Sequence, residues 1–332
     1  MDTNNPITGN HATQTRRQFL KVAGGSAATL AAFGTAGTAS AGLTKMDQGG
    51  YTAPDDYPIL STRDHFDADA NLRSGYSPTE YEIEGDWAEY EDPSEEILVF
   101  VHGWIHDEVR ARNAAYTCDL SLQRNQYDEF TVGFSWDADH GDNPFDWLER
   151  IKIAIAEDDY EKAKELFKNM DFAWDASVEI ARQNGKKLAE WITDHVDDGG
   201  GTVRLVAHSL GAQVTASTLA ELHDRGRKDV IDSVTLLGGA IAEDVVELDE
   251  PYGPAIEYAT KQFHNFHKYN DHMLGLGFTA QEWDDAVGEV GIRNPWDGPA
   301  NYTDVNVTLS VPDHESYFEP DDGCISQVVK TF

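Results

Sequence analysis

Short runs rich in apolar and β-branched residues recur along the last two thirds of the chain. They are Ile97–Val101, Phe130–Trp136, Val203–Ala207, Val234–Leu237, Phe263–Tyr269 and Val305–Val311. Ile97–Val101 and its like are almost continuously apolar, as strands buried on both faces must be. Between the runs lie stretches of helical period: Glu108–Gln126, Phe172–Val196, Ala212–Arg225 and a shorter one at Ala242–Leu248. Strand and helix in alternation predict an α/β fold, a doubly wound and mostly parallel sheet with helices on both faces. No internal repeat is present. Residues 42–95 are polar and rich in Gly, Pro and acids, with strand-like pieces at Ile59–His65 and Glu80–Glu84. They read as a lead-in carrying the first two strands, ahead of a main domain over 96–332.

Two segments interrupt the alternation. Residues 137–170 carry amphipathic helices, with Trp147, Ile151 and Ile155 on one face and Tyr160, Ala163 and Phe167 on another. Residues 275–301 are Gly-rich and contain Trp283 and Trp296. Both insertions should leave the C-terminal edge of the sheet, where open α/β sheets bind ligands. A cap over the site is expected from them.

The first 41 residues read differently. Thr15-Arg16-Arg17-Gln18-Phe19-Leu20-Lys21 has the form of a twin-arginine export signal. A weakly apolar Ala/Gly run over Val22–Gly37 follows, and then Ala39-Ser40-Ala41 as a small-residue cleavage site. Gly24-Gly25 and Gly34 make a stable first helix a poor alternative. The chain is therefore expected to meet the twin-arginine export machinery and to be secreted. No cysteine stands at the cleavage point, and no 18-residue apolar stretch occurs, so no stable membrane anchor is expected.

Charge sharpens this picture. The chain has 60 acidic and 25 basic residues, a net −35. Residues 1–41 hold one acid (Asp2) and three bases (Arg16, Arg17, Lys21), so cleavage leaves 59 acids and 22 bases, a net −37. No nucleic-acid partner is expected for such a surface, because phosphate binding needs cationic neutralisation. Self-repulsion of this size destabilises a compact state in dilute salt. At about 1 M salt the screening length falls to roughly 3 Å and the repulsion largely vanishes. The composition reads as an adaptation to molar salt.

The strongest chemical signal is Val206-Ala207-His208-Ser209-Leu210-Gly211-Ala212, placed between a buried strand and a helix. A serine there can stand on a tight turn with its hydroxyl projecting from the sheet, a nucleophile elbow. The turn needs small residues two before and two after the serine, here Ala207 and Gly211. Ala207 departs from the commoner Gly. A serine hydroxyl needs a base, and the base needs an orienting acid. Five histidines follow Ser209: His223, His264, His267, His272 and His314. His223 belongs to a helix, His264 and His267 to a strand, and His272 abuts an acid candidate. His314, in Pro312-Asp313-His314-Glu315 after the last strand, is the expected base. Asp271, at the end of the penultimate strand, is the preferred acid, and Asp244, one strand earlier, is its rival. Val101-His102-Gly103-Trp104 follows the strand Ile97–Val101 and suits an oxyanion loop. Its donors would be the N–H groups of Trp104 and Leu210, with His102 holding the loop. Neither His102 with His106 nor His264 with His267 has an acid or cysteine completing it, so no metal and no cofactor are expected.

The His-Gly-Trp loop, the Ala-His-Ser-Leu-Gly elbow, the Asn270-Asp271 pair and the final Asp-His-Glu-Ser-Tyr-Phe run resemble the α/β-hydrolase superfamily over about residues 96–332. The likeness is to its lipase-like and little-characterised bacterial and archaeal branches. It implies acyl transfer to Ser209, then hydrolysis, on a small-molecule or lipid ester. A thioesterase or amidase with the same triad is the alternative, as is a binding protein that has lost catalysis on the same fold. The resemblance also places the helix holding Cys118 beside the segment holding Cys324. With export and an even cysteine count, a disulfide between them is expected.

Dialysis from molar salt into dilute buffer should lower the melting temperature or unfold the protein. Thermal melts across a salt series check this. Unchanged stability down to roughly 0.1 M salt, where the screening length is about 10 Å, would exclude a salt adaptation.

Overall fold

The sheet grows outward from its most apolar strand. In the computed structural model, which describes residues 45–46, 50–87, 95–139, 144–169 and 171–332, Ile97–Val101 forms a strand with every residue buried. It lies near the middle of eight strands. In chain order these are β1 (Ile59–Ser61), β2 (Glu82–Glu84), β3 (Ile97–Val101), β4 (Phe130–Ser135), β5 (Val203–His208), β6 (Ile231–Leu237), β7 (Thr260–His267) and β8 (Tyr302–Asn306). The spatial order is β8-β7-β6-β5-β3-β4-β1-β2. Only the edge pair β1–β2 is antiparallel, and every other neighbour is parallel. The doubly wound α/β fold expected from the alternation is the fold observed.

The helices are α1 (Glu108–Arg124), α2 (Pro144–Ala156), α3 (Tyr160–Lys168), α4 (Asp171–Asp197), α5 (Gly211–Asp224) and α6 (Gly253–Ala259). A π-turn at Leu274–Phe278 runs into the short helix α7 (Thr279–Glu282), followed by α8 (Val287–Val290) and α9 (Ile325–Val328). From β3 the chain steps through α1 to β4 on one side. It then returns through α4 to β5 on the other side of β3. Strand order reverses there, and a crevice opens at the C-terminal ends of β3 and β5. The elbow and the oxyanion loop both start at that point. No helix among the described residues is long and apolar enough to cross a membrane. The twin-arginine segment and its cleavage site lie outside the described residues.

Several boundaries differ from those read in the sequence. The stretch 242–248 is not helical. Glu243 and Asp244 are held by the Arg293 guanidinium at 2.7 and 2.6 Å. The helix begins instead at Gly253, where Pro254 has the fixed φ that a first turn accepts. The last strand runs over Tyr302–Asn306, not 305–311, because the Asn306 carboxamide oxygen accepts the Thr308 N–H and folds the chain into turns. The cysteines also depart from expectation. Cys118 on α1 and Cys324 at the start of α9 are free thiols, not a disulfide. Both are fully buried. The Cys324 thiol donates to the Tyr317 carbonyl at 3.4 Å, and burial pushes both thiols up, out of the range where thiolates form.

One buried cation helps fasten the lead-in to the domain, alongside the β1–β4 pairing and the Arg63–Asp139 ion pair. Lys187 on α4 is fully enclosed, with its Nζ 2.8 Å from His65 Nδ1, and donates to the carbonyls of Ser77 at 2.7 Å and Glu80 at 3.1 Å. Burial lowers its ammonium to about 8. Lys187→Met keeps the apolar stem but leaves these acceptors unpaired. It should cost about 3 kcal/mol, read as a lower denaturation midpoint in molar salt.

Candidate active site

Ser209 sits at the hinge between β5 and α5 with φ 53°. A non-glycine residue in the left-handed region is strained, and the surroundings must hold it there. They do so through the backbone. The Ser209 N–H donates to Leu237 O at 3.1 Å, and the Ser209 carbonyl accepts from Ala212 and Ala240, each at 3.0 Å. Gly211 lets the helix start approach the neighbouring strand. A Cβ there would lie 2.5 Å from the carbonyl oxygen of Val101. Gly103 plays the matching part in the facing loop, since a Cβ on it would come 2.8 Å from the Ser209 Cβ. The small residue after the elbow is therefore a steric requirement of the turn. Ala207, the departure from Gly, is buried in β5 in register with Val101 and Leu236.

The three candidate side chains converge. The Ser209 hydroxyl lies 2.9 Å from His314 Nε2, and His314 Nδ1 lies 2.9 Å from Asp271 Oδ2. The carboxylate accepts on Oδ2, which fixes the proton on Nδ1 and leaves the Nε2 lone pair for the serine. Asp271 is 1 % exposed and His314 8 %. Burial alone would lower the His314 imidazole. The Asp271 charge and hydrogen bond outweigh it, and His314 titrates above its ordinary value. Asp244, the rival acid, is joined to Arg293 instead. His223 is on α5, His264 and His267 are on β7, and His272 packs against the Tyr160 ring.

Two residues at the triad were not singled out in the sequence as supporting groups. Tyr317 is fully buried and donates its hydroxyl to Asp271 Oδ2 at 3.3 Å. Burial and the Asp271 charge hold the phenol neutral, so it stays a donor. The turn that carries His314 also carries Tyr317, but no pattern in the sequence aims it at Asp271. His208, beside the nucleophile, is the second. Its Nε2 lies 2.7 Å from the carbonyl oxygen of His314 and donates to it. Burial, with His314 close by, keeps His208 well below its ordinary range and neutral. The elbow thus holds the base loop by its backbone as well as by its hydroxyl. Glu289, half-buried near Asp271, is raised to about 7 by burial and by that neighbouring charge.

The oxyanion loop is braced from below. His102 is buried, accepts the Trp136 N–H on Nε2 at 3.1 Å, and bonds Gly103 O through Nδ1 at 2.8 Å. Trp104 follows Gly103 and lines the same cleft as Ser209, and Leu210 caps α5 next to the serine. The Trp104 ring donates to Ser177 at 2.8 Å and meets Trp174 edge-on at 5.1 Å. No group of three or more metal-binding side chains occurs among the described residues.

Both insertions reach this place. Ile151, Ala154, Ala163, Leu166 and Phe167 of α2 and α3 pack with Met273, Leu276 and Ala280 of the second insertion and its approach. Gln281 donates to Phe167 O at 2.6 Å, and Trp174 to Glu282 at 2.6 Å. The cleft they leave over Ser209 is narrow, about 70 Å³, with walls mainly of Trp104, Leu148, Phe167, Trp174 and Phe278.

Such a serine should react with a fluorophosphonate, and its rate should depend on neutral His314. Because His314 titrates above 6.5, labelling should fall as pH drops through a midpoint higher than 6.5. Asp271→Asn removes the cause of the upward shift. It should move that midpoint to lower pH, whatever its effect on the plateau. Rate–pH profiles of labelling decide this, and an unmoved midpoint would separate Asp271 from the base.

One curated relative, an uncharacterized membrane protein of Schizosaccharomyces pombe, is 29% identical over 150 residues, 45% of this chain. The match takes up 18% of that protein, so the chain spans under a fifth of its length. A protein family also matches residues 163–328, half of the chain, from α3 to the end of α9 and across Ser209, Asp271 and His314. On that match the chain belongs to the family described as Protein of unknown function (DUF726).

Proposed function

We propose that the protein is a serine hydrolase that cleaves carboxylic esters through an acyl-enzyme on Ser209. The observation that carries this reading is the unbroken chain of hydrogen bonds from the strained Ser209 hydroxyl through His314 to buried Asp271. In the first step Ser209 Oγ attacks the ester carbonyl, and its proton passes to His314 Nε2. The imidazolium is stabilised by Asp271, which keeps its own charge. The carbonyl oxygen becomes an oxyanion facing the N–H groups of Trp104 and Leu210. On collapse the C–O bond breaks and His314 returns the proton to the leaving alcohol. Water then repeats the sequence on the acyl-enzyme, giving the acid and restoring the Ser209 hydroxyl. No cofactor enters these steps.

Export completes the reading. The segment Thr15–Lys21 and the acid-rich surface suit an enzyme delivered through the twin-arginine route to a salt-rich exterior. A thioester or amide would use the same groups. The walls of the cleft are mainly apolar, with His106, His208, Gln281 and Glu315 as its polar side chains beyond Ser209 and His314.

The narrow cleft favours small acyl groups, since a cavity of about 70 Å³ holds a few waters' worth of space. In molar salt, p-nitrophenyl acetate and butyrate should be turned over with a higher kcat/KM than the laurate. Ser209→Ala should lose turnover by a factor on the order of 10⁴ or more, and His314→Ala nearly as much, because the triad acts as a unit. Wild-type turnover in Ser209→Ala would end the proposal.

A further inference from the structure

A second, larger cavity of about 640 Å³ lies beside the cleft that holds Ser209. The two share a wall made by His106, His208, Met273, His314 and Glu315. The second cavity is the more polar of the two. The cleft over Ser209 is mainly apolar, while the second cavity, beside apolar residues such as Ile155 and Phe318, is bordered by Lys152, Lys268, Asn270, Asp271, Asp313 and Glu319. Lys268 stands out among these. It is 8 % exposed, and its ammonium donates to the Asn270 carbonyl at a long 3.4 Å. Lys152 reaches across from α2 to Glu315, 2.8 Å away, so the first insertion closes this cavity as well.

The mechanism assigns a direction to each half of an ester. The acyl carbon must sit between Ser209 and the oxyanion loop, so the acyl group enters the apolar cleft. The leaving oxygen must take its proton from His314 Nε2, so the alcohol leaves on the His314 side. His314 belongs to the wall common to both cavities. Resting on the serine-hydrolase reading above, we infer that the second cavity receives the alcohol, and that this alcohol is a neutral polyol of glycerol size or larger. Four carboxylates, Asp271, Asp313, Glu315 and Glu319, against two ammoniums repel an anionic alcohol. A plain alkyl group would strip water from those charges and return no hydrogen bond. Hydroxyl groups donate and accept, and so can satisfy both kinds of lining side chain. Bond changes stay those of the ester hydrolysis: the C–O bond to the polyol breaks, and the His314 proton completes its hydroxyl.

The test uses the whole protein in molar salt and three butyrate esters. Glyceryl monobutyrate and propyl butyrate differ only by two hydroxyls, and butyrylcholine carries a cationic alcohol. p-Nitrophenyl butyrate reports the triad separately. The glyceryl ester should exceed the propyl ester in kcat/KM by about tenfold or more, as sites built for hydroxyls reject analogues lacking them. That ratio should shrink several-fold in Lys268→Met. It should also shrink in Lys152→Met, at a partly exposed position on α2. Equal wild-type rates on the two esters overturn the inference, as does a ratio unmoved in both variants or a preference for butyrylcholine. If p-nitrophenyl butyrate is not hydrolysed either, the serine-hydrolase reading fails, and this inference with it.

Discussion

The approach of three backbones at one point governs the rest of the molecule. The end of β3, the turn at Ser209 and the start of α5 come so close that a Cβ at Gly211 would meet the carbonyls of Val101 and His102, and one at Gly103 would meet the Ser209 Cβ. The contact exists because β3 and β5 are parallel neighbours in register, Val101 opposite Ala207. Their following loops therefore leave the sheet at the same height. Strain at Ser209 is the local cost, of order 1–3 kcal/mol, and the buried sheet on both sides supports it. Once the serine is held there, the base can reach it only from a loop that comes off the far side of the sheet. The path from β8 to His314 provides that loop.

Around this point the buried polar groups form one connected set. Tyr317 donates to Asp271, Asp271 accepts from His314, His314 accepts from Ser209, and His208 returns a bond to the His314 carbonyl. In a low-dielectric interior each of these bonds counts for more than it would in water, and each missing one costs more. Asp271 carries the buried negative charge of the triad. Its partners are arranged so that the charge is held by donors and not by a paired cation. An Arg or Lys against Asp271 would draw the field away from His314. The observed arrangement leaves the His314 imidazolium as its natural counter-ion, which is why His314 is shifted upward in spite of its burial.

Much of this was legible in the sequence because a parallel sheet writes a strong pattern. Five-residue apolar runs such as Ile97–Val101 have no other economical explanation, and the order Ser, acid, His follows from strand order. Ser209, Asp271 and His314 come together as that order requires. The errors lie where a local interaction outweighs periodicity. Arg293 unwinds 242–248, and Asn306 ends β8 early. The cysteines show a different limit. Cys118 and Cys324 were placed on neighbouring elements, but topology cannot say where a thiol is directed, and Cys324 bonds a carbonyl. Tyr317 and His208 were illegible for the same reason, since their roles depend on side-chain direction and not on spacing.

The acidic surface and the apolar centre place opposite demands on the chain, and the cap is where they meet. Its helices α2 and α3 are amphipathic, with Ile151, Ala154, Ala163 and Phe167 buried inward and acids such as Glu161 and Glu165 facing solvent. In molar salt apolar contacts are undiminished, while ion pairs such as Lys152 with Glu315 are screened. A cap held by apolar packing over the acyl cleft, and by an ion pair over the polar cavity, therefore responds unevenly to salt. The apolar contacts around Ile151 and Phe167 persist at high salt, and the Lys152–Glu315 pair is the part that weakens.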